Sequence, residues 1–533
     1  MTKCLVKYES DSREECGIIK GAFSLTLATL IVKLLGLIYK IPLSYFLSDE
    51  GMGYFNSAYT VYTFFYLVCN SGIPKAISIM TTESFVKKRY SDERKIFITS
   101  LSVVSILGIA LCSVFVLLSR GIANIISNPA SSIAMMAVAP SVAFIAIGGV
   151  IRGYLNGRAR LLPIAISQVL EGAGRLIFGL AFSFVAIKLK FALPTIAAFA
   201  IFGVTIGSAL GLIYLSISIK KENKDYNIRQ NDRTQLKTKD IIRRLVAVAI
   251  PITASAGVMS ISNIIDLGMI MSRLSNLGYT EEQASALYGN YTTLCVPMFN
   301  LVAAVISPIA VAALPLFTKH VALGDKESFK ITLKGAVELG AFLTVPCAFG
   351  LMFFPLEVLK LIFPDASATL AAPLLTLLAP AIIFMCALTV VNTALEAVGR
   401  ISAPLISMSV GAIAKIAVTY FLVGNEPYGI LGAPIGTVVF YFTALFVSFA
   451  IMITKTDIPC SAFLSFFLPI INAFLSVLAV KLAVGYLSSE FNFGVNILLI
   501  IPLCAVLYLF FSWITGTFSQ KRVKIMSEYT KRI

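Results

Sequence analysis

The chain is built from apolar runs, most of them long enough to supply the roughly 20 residues a helix needs to cross about 30 Å of hydrocarbon. Fourteen runs can be read between charged, Gly- or Pro-bearing turns, at about 18–47, 53–86, 95–119, 131–156, 161–187, 191–218, 241–274, 285–318, 328–355, 369–397, 402–423, 429–454, 459–487 and 494–516. A mean hydropathy of +0.89, with 58% hydrophobic and 13% charged residues over 533 positions, lies outside the range of soluble globular proteins. The expected fold class is an all-α polytopic membrane protein with about 14 transmembrane helices. The opening MTKCLVKYESDSREEC lacks the apolar centre of a cleavable signal peptide, so the first run is expected to direct insertion and the N-terminus to be retained.

The formal charge of +16 is informative through its placement. With the N-terminus in the cytoplasm, 31 of the 43 Lys and Arg fall on that side, five fall on the outer side and seven lie within the runs. That asymmetry requires an even number of spans with both termini cytoplasmic, and it removes the need for a nucleic-acid partner. The nine cysteines form no CxxC pair, and His320 is the only histidine, so disulfides, zinc and imidazole chemistry are not expected.

The second and eighth runs align without a gap at an offset of 234, pairing Tyr54 with Tyr288, Asn56 with Asn290, Pro74 with Pro308 and Ala76 with Ala310. LNGRARLLP after the fourth run likewise resembles EAVGRISAP after the tenth. The organisation expected is an N-terminal six-helix lobe (1–220), a cytoplasmic linker (221–240), a C-terminal six-helix lobe (241–455), and two extra helices with a basic tail (456–533). Six is even, so the two lobes are parallel repeats about an axis along the membrane normal, an arrangement suited to alternating access.

Charges inside the runs are the candidate site. A lysine at mid-bilayer costs about 2.5–3.5 kcal/mol on insertion scales, which favours a wet cavity or a partner. At 1.5 Å per residue Lys33 lies about 20 Å beyond Lys20, well inside the slab. Lys40 follows two turns later on the same face, with Gly36 between, and is equally suited to snorkelling. Lys75 follows the Gly72-Ile73-Pro74 interruption, where freed backbone groups need protein or water. Glu171 precedes Arg175 by four residues, in the order that favours an intrahelical ion pair. Asp266 and Arg273 stand two turns apart, Asp266 being a candidate proton or cation site, and Lys415 is a further candidate in the second lobe. Lys481, near the end of its run, is expected to snorkel. Seven bases against about four acids (Glu171, Asp266, Glu338, Glu396) make an interior that selects anions, and lysine suits phosphate as a mobile point charge.

VKLLGLIYKIPLSYFLSDEGMGYFNSAYTVY, followed by SGIPKAIS, resembles the opening of the polysaccharide-export branch of the multidrug/oligosaccharidyl-lipid/polysaccharide exporter superfamily, and within it the stage V sporulation protein B group, related to the lipid II flippases. The resemblance covers nearly the whole chain. It implies a flippase that moves an undecaprenyl-pyrophosphate-linked saccharide, such as lipid II or a polysaccharide precursor, across the bacterial cytoplasmic membrane. Lys33 occupies a basic position matching the family's, whereas the second basic position of the first helix falls on Tyr39, with Lys40 beside it. On this reading Lys33, Lys40 and Lys75 bind the pyrophosphate, and Glu171, Arg175, Asp266, Arg273 and Lys415 line the cavity. The last two helices guide the prenyl tail. No cofactor is expected beyond a coupling Na+ or H+, and the partners are the lipid-linked substrate and membrane lipids, with the protein a monomer. No GxxxxGK[ST] motif is present to bind ATP. The alternatives are a cation-coupled drug antiporter of the same superfamily, which needs cavity acids, and a membrane glycosyltransferase or polymerase, which needs a larger external loop than SDEGMG or GNEPYG.

Overall fold

The computed structural model describes residues 2–226, 236–400, 402–456, 466–487 and 493–516. The middle of the expected linker (227–235) and the basic tail from 517 onward lie outside these residues. Every regular element among the described residues is helical. The first two apolar runs are one helix, α1 (Thr2–Asn70), kinked at Ser48, whose φ of 56° and ψ of 175° break the helical path. A residue with a Cβ rarely holds such a φ, and here it turns the chain back on itself between the runs. The second run continues after Ser71 as α2 (Gly72–Val86), so it is broken where the Gly-Ile-Pro sequence places the break. Pro74 then stands in the first turn, where its missing N–H leaves no helical bond unmade. In the aligned stretch the distortion lies elsewhere. There α8 (Glu281–Asn290) passes through a π turn at Tyr291–Cys295, just before Pro297, into α9 (Val296–Leu323), which runs on through Pro308.

The chain separates into two compact units. One comprises residues up to Ser272 with Thr280–Gly289, the other Arg273–Tyr279 with Asn290 onward. The first contains α1 and α2, α3 (Tyr90–Ile125), α4 (Ser132–Gly157), α5 (Leu161–Lys188), α6 (Leu193–Tyr226) and most of α7 (Thr238–Asn276). The second contains α9, α10 (Lys326–Phe353), α11 (Pro355–Lys360), α12 (Asp365–Leu378), α13 (Ala381–Ala397), α14 (Ser402–Val423), α15 (Gly432–Thr456), α16 (Phe467–Leu487) and α17 (Phe493–Ile514). The pairing repeats: α2 on α3 and α4, α3 on α4, α4 on α6 and α5 on α6 in the first unit correspond to α9 on α10 and α13, α10 on α13, α13 on α15 and α14 on α15 in the second. The aligned residues themselves take different partners. Tyr54 donates to Glu50 while Tyr288 meets Thr60, and Asn56 donates to the Met52 carbonyl while Asn290 donates to that of Ser367.

Lipid tails are as apolar as leucine, so helices in a bilayer hold together by close packing and polar contacts rather than by transfer from water. Two places in the first unit show this. At the Ser48 end, a Cβ on Gly53 would strike the Ser285 carbonyl, and one on Gly289 would strike the Asp49 carbonyl and the Gly53 nitrogen, so α8 lies directly on the backbone of α1. Around them Asn128 donates to Ser57 Oγ at 3.0 Å, and Glu281 accepts from the Ala130 N–H at 3.0 Å. At the opposite end Asp92 and Glu93 are buried at the start of α3, where the helix dipole favours acids. Glu93 pairs with Arg158, whose guanidinium sits 4.6 Å over the Tyr154 ring. Asp92 accepts from the Leu236 N–H at 3.0 Å while Lys95 donates to the Leu236 carbonyl at 2.8 Å, pinning the start of α7. These acids are structural.

In the second unit α16 and α17 dock on α10. Phe354, Val477, Val480 and Ile500 form a buried cluster, Tyr508 donates to the Phe342 carbonyl at 3.0 Å, and Asn472 donates to Thr515 Oγ1 at 2.8 Å. Lys481, expected to snorkel, is exposed with its ammonium 5.8 Å from the Phe353 ring centre.

The outer faces are apolar. On α3, Leu117 is 79% and Ile125 81% exposed, which fits hydrocarbon and not water. The protein is a multi-pass membrane protein. Eight helices among the described residues are long and apolar enough to cross a membrane, or nine with the α12–α13 pair, bent by 45°, taken as one span. This is fewer than the fourteen runs expected, in part because Leu27–Phe85 contains two runs within one continuous stretch.

Candidate functional site

The basic stripe of α1 lies against the second half of the same helix and against α5. Lys33, Gly36 and Lys40 follow the helical period along one side. Gly36 leaves room for α5: a Cβ there would come 3.2 Å from a terminal nitrogen of Arg175. Lys40 donates from Nζ to Asn56 Oδ1 at 3.2 Å, and Asn56 is oriented for this because its Nδ2 donates to the Met52 carbonyl at 2.8 Å. Arg175 donates from Nη1 to the Tyr59 hydroxyl at 3.3 Å. From Tyr59 a ladder of rings descends the helix through Tyr62 and Tyr66, with centroids 5.6 and 6.0 Å apart, and Tyr66 accepts from Asn70 Nδ2 at 2.8 Å. Lys33 is exposed, and among the described residues no carboxylate lies within ion-pairing distance of it.

The Glu171–Arg175 pair expected from spacing is not formed. Glu171 instead accepts from Arg152 of α4 at 2.7 Å, an ion pair with side-chain exposures of 9% and 19%. Arg152 counts in the sequence as a basic residue of the RGYLNGRAR turn, yet α4 continues to Gly157 and draws it into the bundle. A neighbouring helix offers Glu171 a desolvated guanidinium at 2.7 Å, and an i,i+4 pair along its own helix is worth only about 0.2–0.5 kcal/mol. Arg152 pairs with Glu171 directly, and Arg175 lies within electrostatic reach of both Glu171 and Lys40.

Of the other candidates, Lys75 and Asp266 belong to the first unit and Arg273 and Lys415 to the second. Lys75 is exposed in the first turn of α2. Asp266 is buried on α7, within electrostatic reach of Tyr288, whose hydroxyl stands 3.2 Å from Thr60 Oγ1. In the second unit Arg273 stacks on the Tyr420 ring at 4.3 Å and fills the space left by Gly424. Lys415 is buried, its stem lying along Gly436 of α15. Within the first unit the structure brings together Lys40, Arg175 and Glu171, with Lys33 on the same helix face, while Arg273 and Lys415 belong to the second unit. Sequence reasoning missed Arg152 and the tyrosines. The spacing of Tyr59, Tyr62 and Tyr66, three and then four residues, was the available signal for one polar helix face.

Comparisons with known proteins agree with this architecture. Residues 18–321 match the family model described as Polysaccharide biosynthesis protein, and residues 291–421 match the one described as MatE. The chain is 23% identical over 426 residues to stage V sporulation protein B of Bacillus subtilis (strain 168), covering 79% of this chain and 80% of that protein. It is 23% identical over 455 residues to lipid II flippase MurJ of the same organism, covering 82% of each. Among solved structures, lipid II flippase MurJ in an inward closed conformation superposes with a TM-score of 0.68 at 17% identity, over 92% of this chain and 98% of that one. An inward-facing multidrug resistance MATE family transporter superposes with a TM-score of 0.64 at 13% identity, over 82% and 98%. At these identities the structural likeness speaks for the fold.

Proposed function

This chain belongs to the polysaccharide biosynthesis protein family, within the multidrug/oligosaccharidyl-lipid/polysaccharide exporter superfamily, and from that premise we propose that it is a flippase for a saccharide carried on a prenyl pyrophosphate. It is a membrane transporter, and its relatives are transporters rather than enzymes. The observation that carries the substrate class is the charge of the α1 stripe: Lys33 without a carboxylate partner among the described residues, Lys40 held by an amide, and Arg175 held by a phenol. Neither Lys33 nor Arg175 forms an ion pair with a carboxylate among the described residues, and with Lys40 between them the stripe favours a dianionic group over a cation. Lys33 makes first contact with the diphosphate, with Lys40 behind it, and Lys75 meets the headgroup at the α2 break. The prenyl tail runs along the apolar faces of α16 and α17, where Phe474, Leu478 and Leu482 are exposed at four-residue intervals. A Na+ or H+ gradient, or the membrane potential at about 2.3 kcal/mol per charge per 100 mV, drives the cycle.

The rival drug-antiporter reading makes the opposite prediction about charge. In proteoliposomes containing the purified chain, a fluorescent prenyl-pyrophosphate saccharide is expected to cross between leaflets well above the protein-free rate, and a lipophilic cationic dye is expected to show no gain. Dye movement without lipid movement would assign the antiporter function instead.

A further inference from the structure

Where α2 ends, the first unit carries a cavity that the transport reading does not use. It holds about 420 Å³ and is lined by Ser78, Ile79, Thr82, Glu83 and Lys87, which follow the helical period along one side of α2 and all belong to the first unit. That volume lies within the roughly 300–1,000 Å³ of sites for small ligands. Thr82 fixes the cavity wall to α4 by donating to the Gly157 carbonyl at 3.0 Å. Arg244 of α7 donates to Glu83 at 2.5 Å and so brings a guanidinium to the cavity's edge.

The lining is charged at one end and apolar at the other. From Lys87 back to Ile79, about 12 Å of helix, it passes from an exposed ammonium to an isoleucine side chain that is 44% exposed. Glu83 is matched by Arg244, and Lys87 forms no ion pair among the described residues, so the lining and Arg244 together carry one net positive charge. The helix does not draw the Lys87 side chain back to cap it, because its last carbonyls already accept from the Lys87, Lys88 and Arg89 N–H groups at 3.2, 3.0 and 2.9 Å. Lys88 and Arg89 are exposed beside it, as are Lys237, Lys239 and Arg243 around the start of α7, with Asp240 the one exposed acid among these segments.

An occupant that matches this lining presents one negative charge at the rim and an apolar end inward. A free phosphate meets only the first condition, and a hydrocarbon chain only the second. Basic pockets at a membrane surface take anionic lipid headgroups. We infer that the cavity binds an anionic phospholipid of the phosphatidylglycerol class, its phosphodiester on Lys87 and Arg244 and the start of an acyl chain along Ile79. The glycerol hydroxyls of such a headgroup are donors for the Thr82 oxygen and the Glu83 carboxylate, acceptors that a choline headgroup leaves unused. The site uses none of the α1 stripe and does not rest on the flippase reading. The bound phosphate holds the turn between α2 and α3 at the membrane surface.

The test is native mass spectrometry of the purified full-length chain, released from micelles that contain equal amounts of phosphatidylglycerol and phosphatidylcholine of different mass. The wild-type chain is expected to retain phosphatidylglycerol in preference. In Lys87→Ala and Lys87→Gln that retention should fall by about 10-fold or more, as expected for the loss of one charge-assisted hydrogen bond. Unfolding midpoints without added lipid show that both variants are folded, as an exposed position allows. Lys188→Ala removes an exposed base from the other end of α5 and should leave retention unchanged. Equal retention of the two lipids by the wild-type chain, or equal losses in Lys87→Ala and Lys188→Ala, overturns the inference. Displacement of the lipid by millimolar inorganic phosphate would assign the cavity to a soluble anion and overturns it as well. Loss of retention in Lys33→Ala, with none in Lys87→Ala, would place the lipid on the stripe; that outcome overturns this site while leaving the diphosphate reading standing.

Discussion

Arg152→Ala is expected to destabilise the first unit by about 3–5 kcal/mol, because it strands the Glu171 carboxylate in a bundle that excludes water. The effect should appear as a lowered unfolding midpoint and a reduced yield of folded protein. It is a stability effect, distinguishable from a transport effect by a compensating variant: Arg152→Met with Glu171→Leu removes both charges, fills similar volume, and should recover most of the loss, since buried ion pairs are often replaceable by apolar residues at little net cost. If Arg152→Ala unfolds like the wild type, the pair is solvated and the bundle interior is not dry.

Lys33→Ala should act oppositely, leaving the fold intact and removing transport. Lys33 is exposed and bears on no buried partner among the described residues, so deleting its ammonium strands nothing. A charge-assisted hydrogen bond to phosphate is worth about 1.5–3 kcal/mol, and each 1.4 kcal/mol is tenfold, so flipping of the prenyl-pyrophosphate saccharide is expected to fall by about 10- to 150-fold. The unfolding midpoint should stay within about 0.5 kcal/mol equivalent of wild type, as for other exposed substitutions. Lys33→Arg should keep part of the activity, since it preserves the charge while changing its geometry. Lys40→Ala should reduce transport less cleanly, because it also frees Asn56 Oδ1 inside the bundle.

The fold was legible because the membrane imposes a rule that sequence alone can follow. Backbone groups in hydrocarbon must pair internally, so long apolar runs become helices, and the Gly72-Ile73-Pro74 break and the apolar outer faces follow from local chemistry. The first unit's interior was only half legible. Lys33 and Lys40 stand out as charges in an apolar run, but which partner a buried charge takes depends on the neighbouring helix. Glu171 thus pairs across to Arg152 and not along to Arg175. Arg152 itself was hidden by position, since five residues before a helix end reads as a turn until the packing of α4 against its neighbours is known. Asp92 and Glu93 were hidden in the same way, as acids within a basic-looking segment that in fact open a buried helix. Arg273 packs on the Tyr420 ring and over Gly424, contacts that no spacing within α7 foretells.

The central claim is that the Lys33 side of α1 faces water that a diphosphate can enter. It is tested most directly by a Lys33→Cys variant in a background otherwise free of cysteine, probed with a membrane-impermeant maleimide from each side of oriented vesicles. The account predicts labelling from at least one side and protection by a prenyl-pyrophosphate saccharide. A thiol that reacts only with a lipid-soluble maleimide, or whose labelling the substrate leaves unchanged, would contradict it.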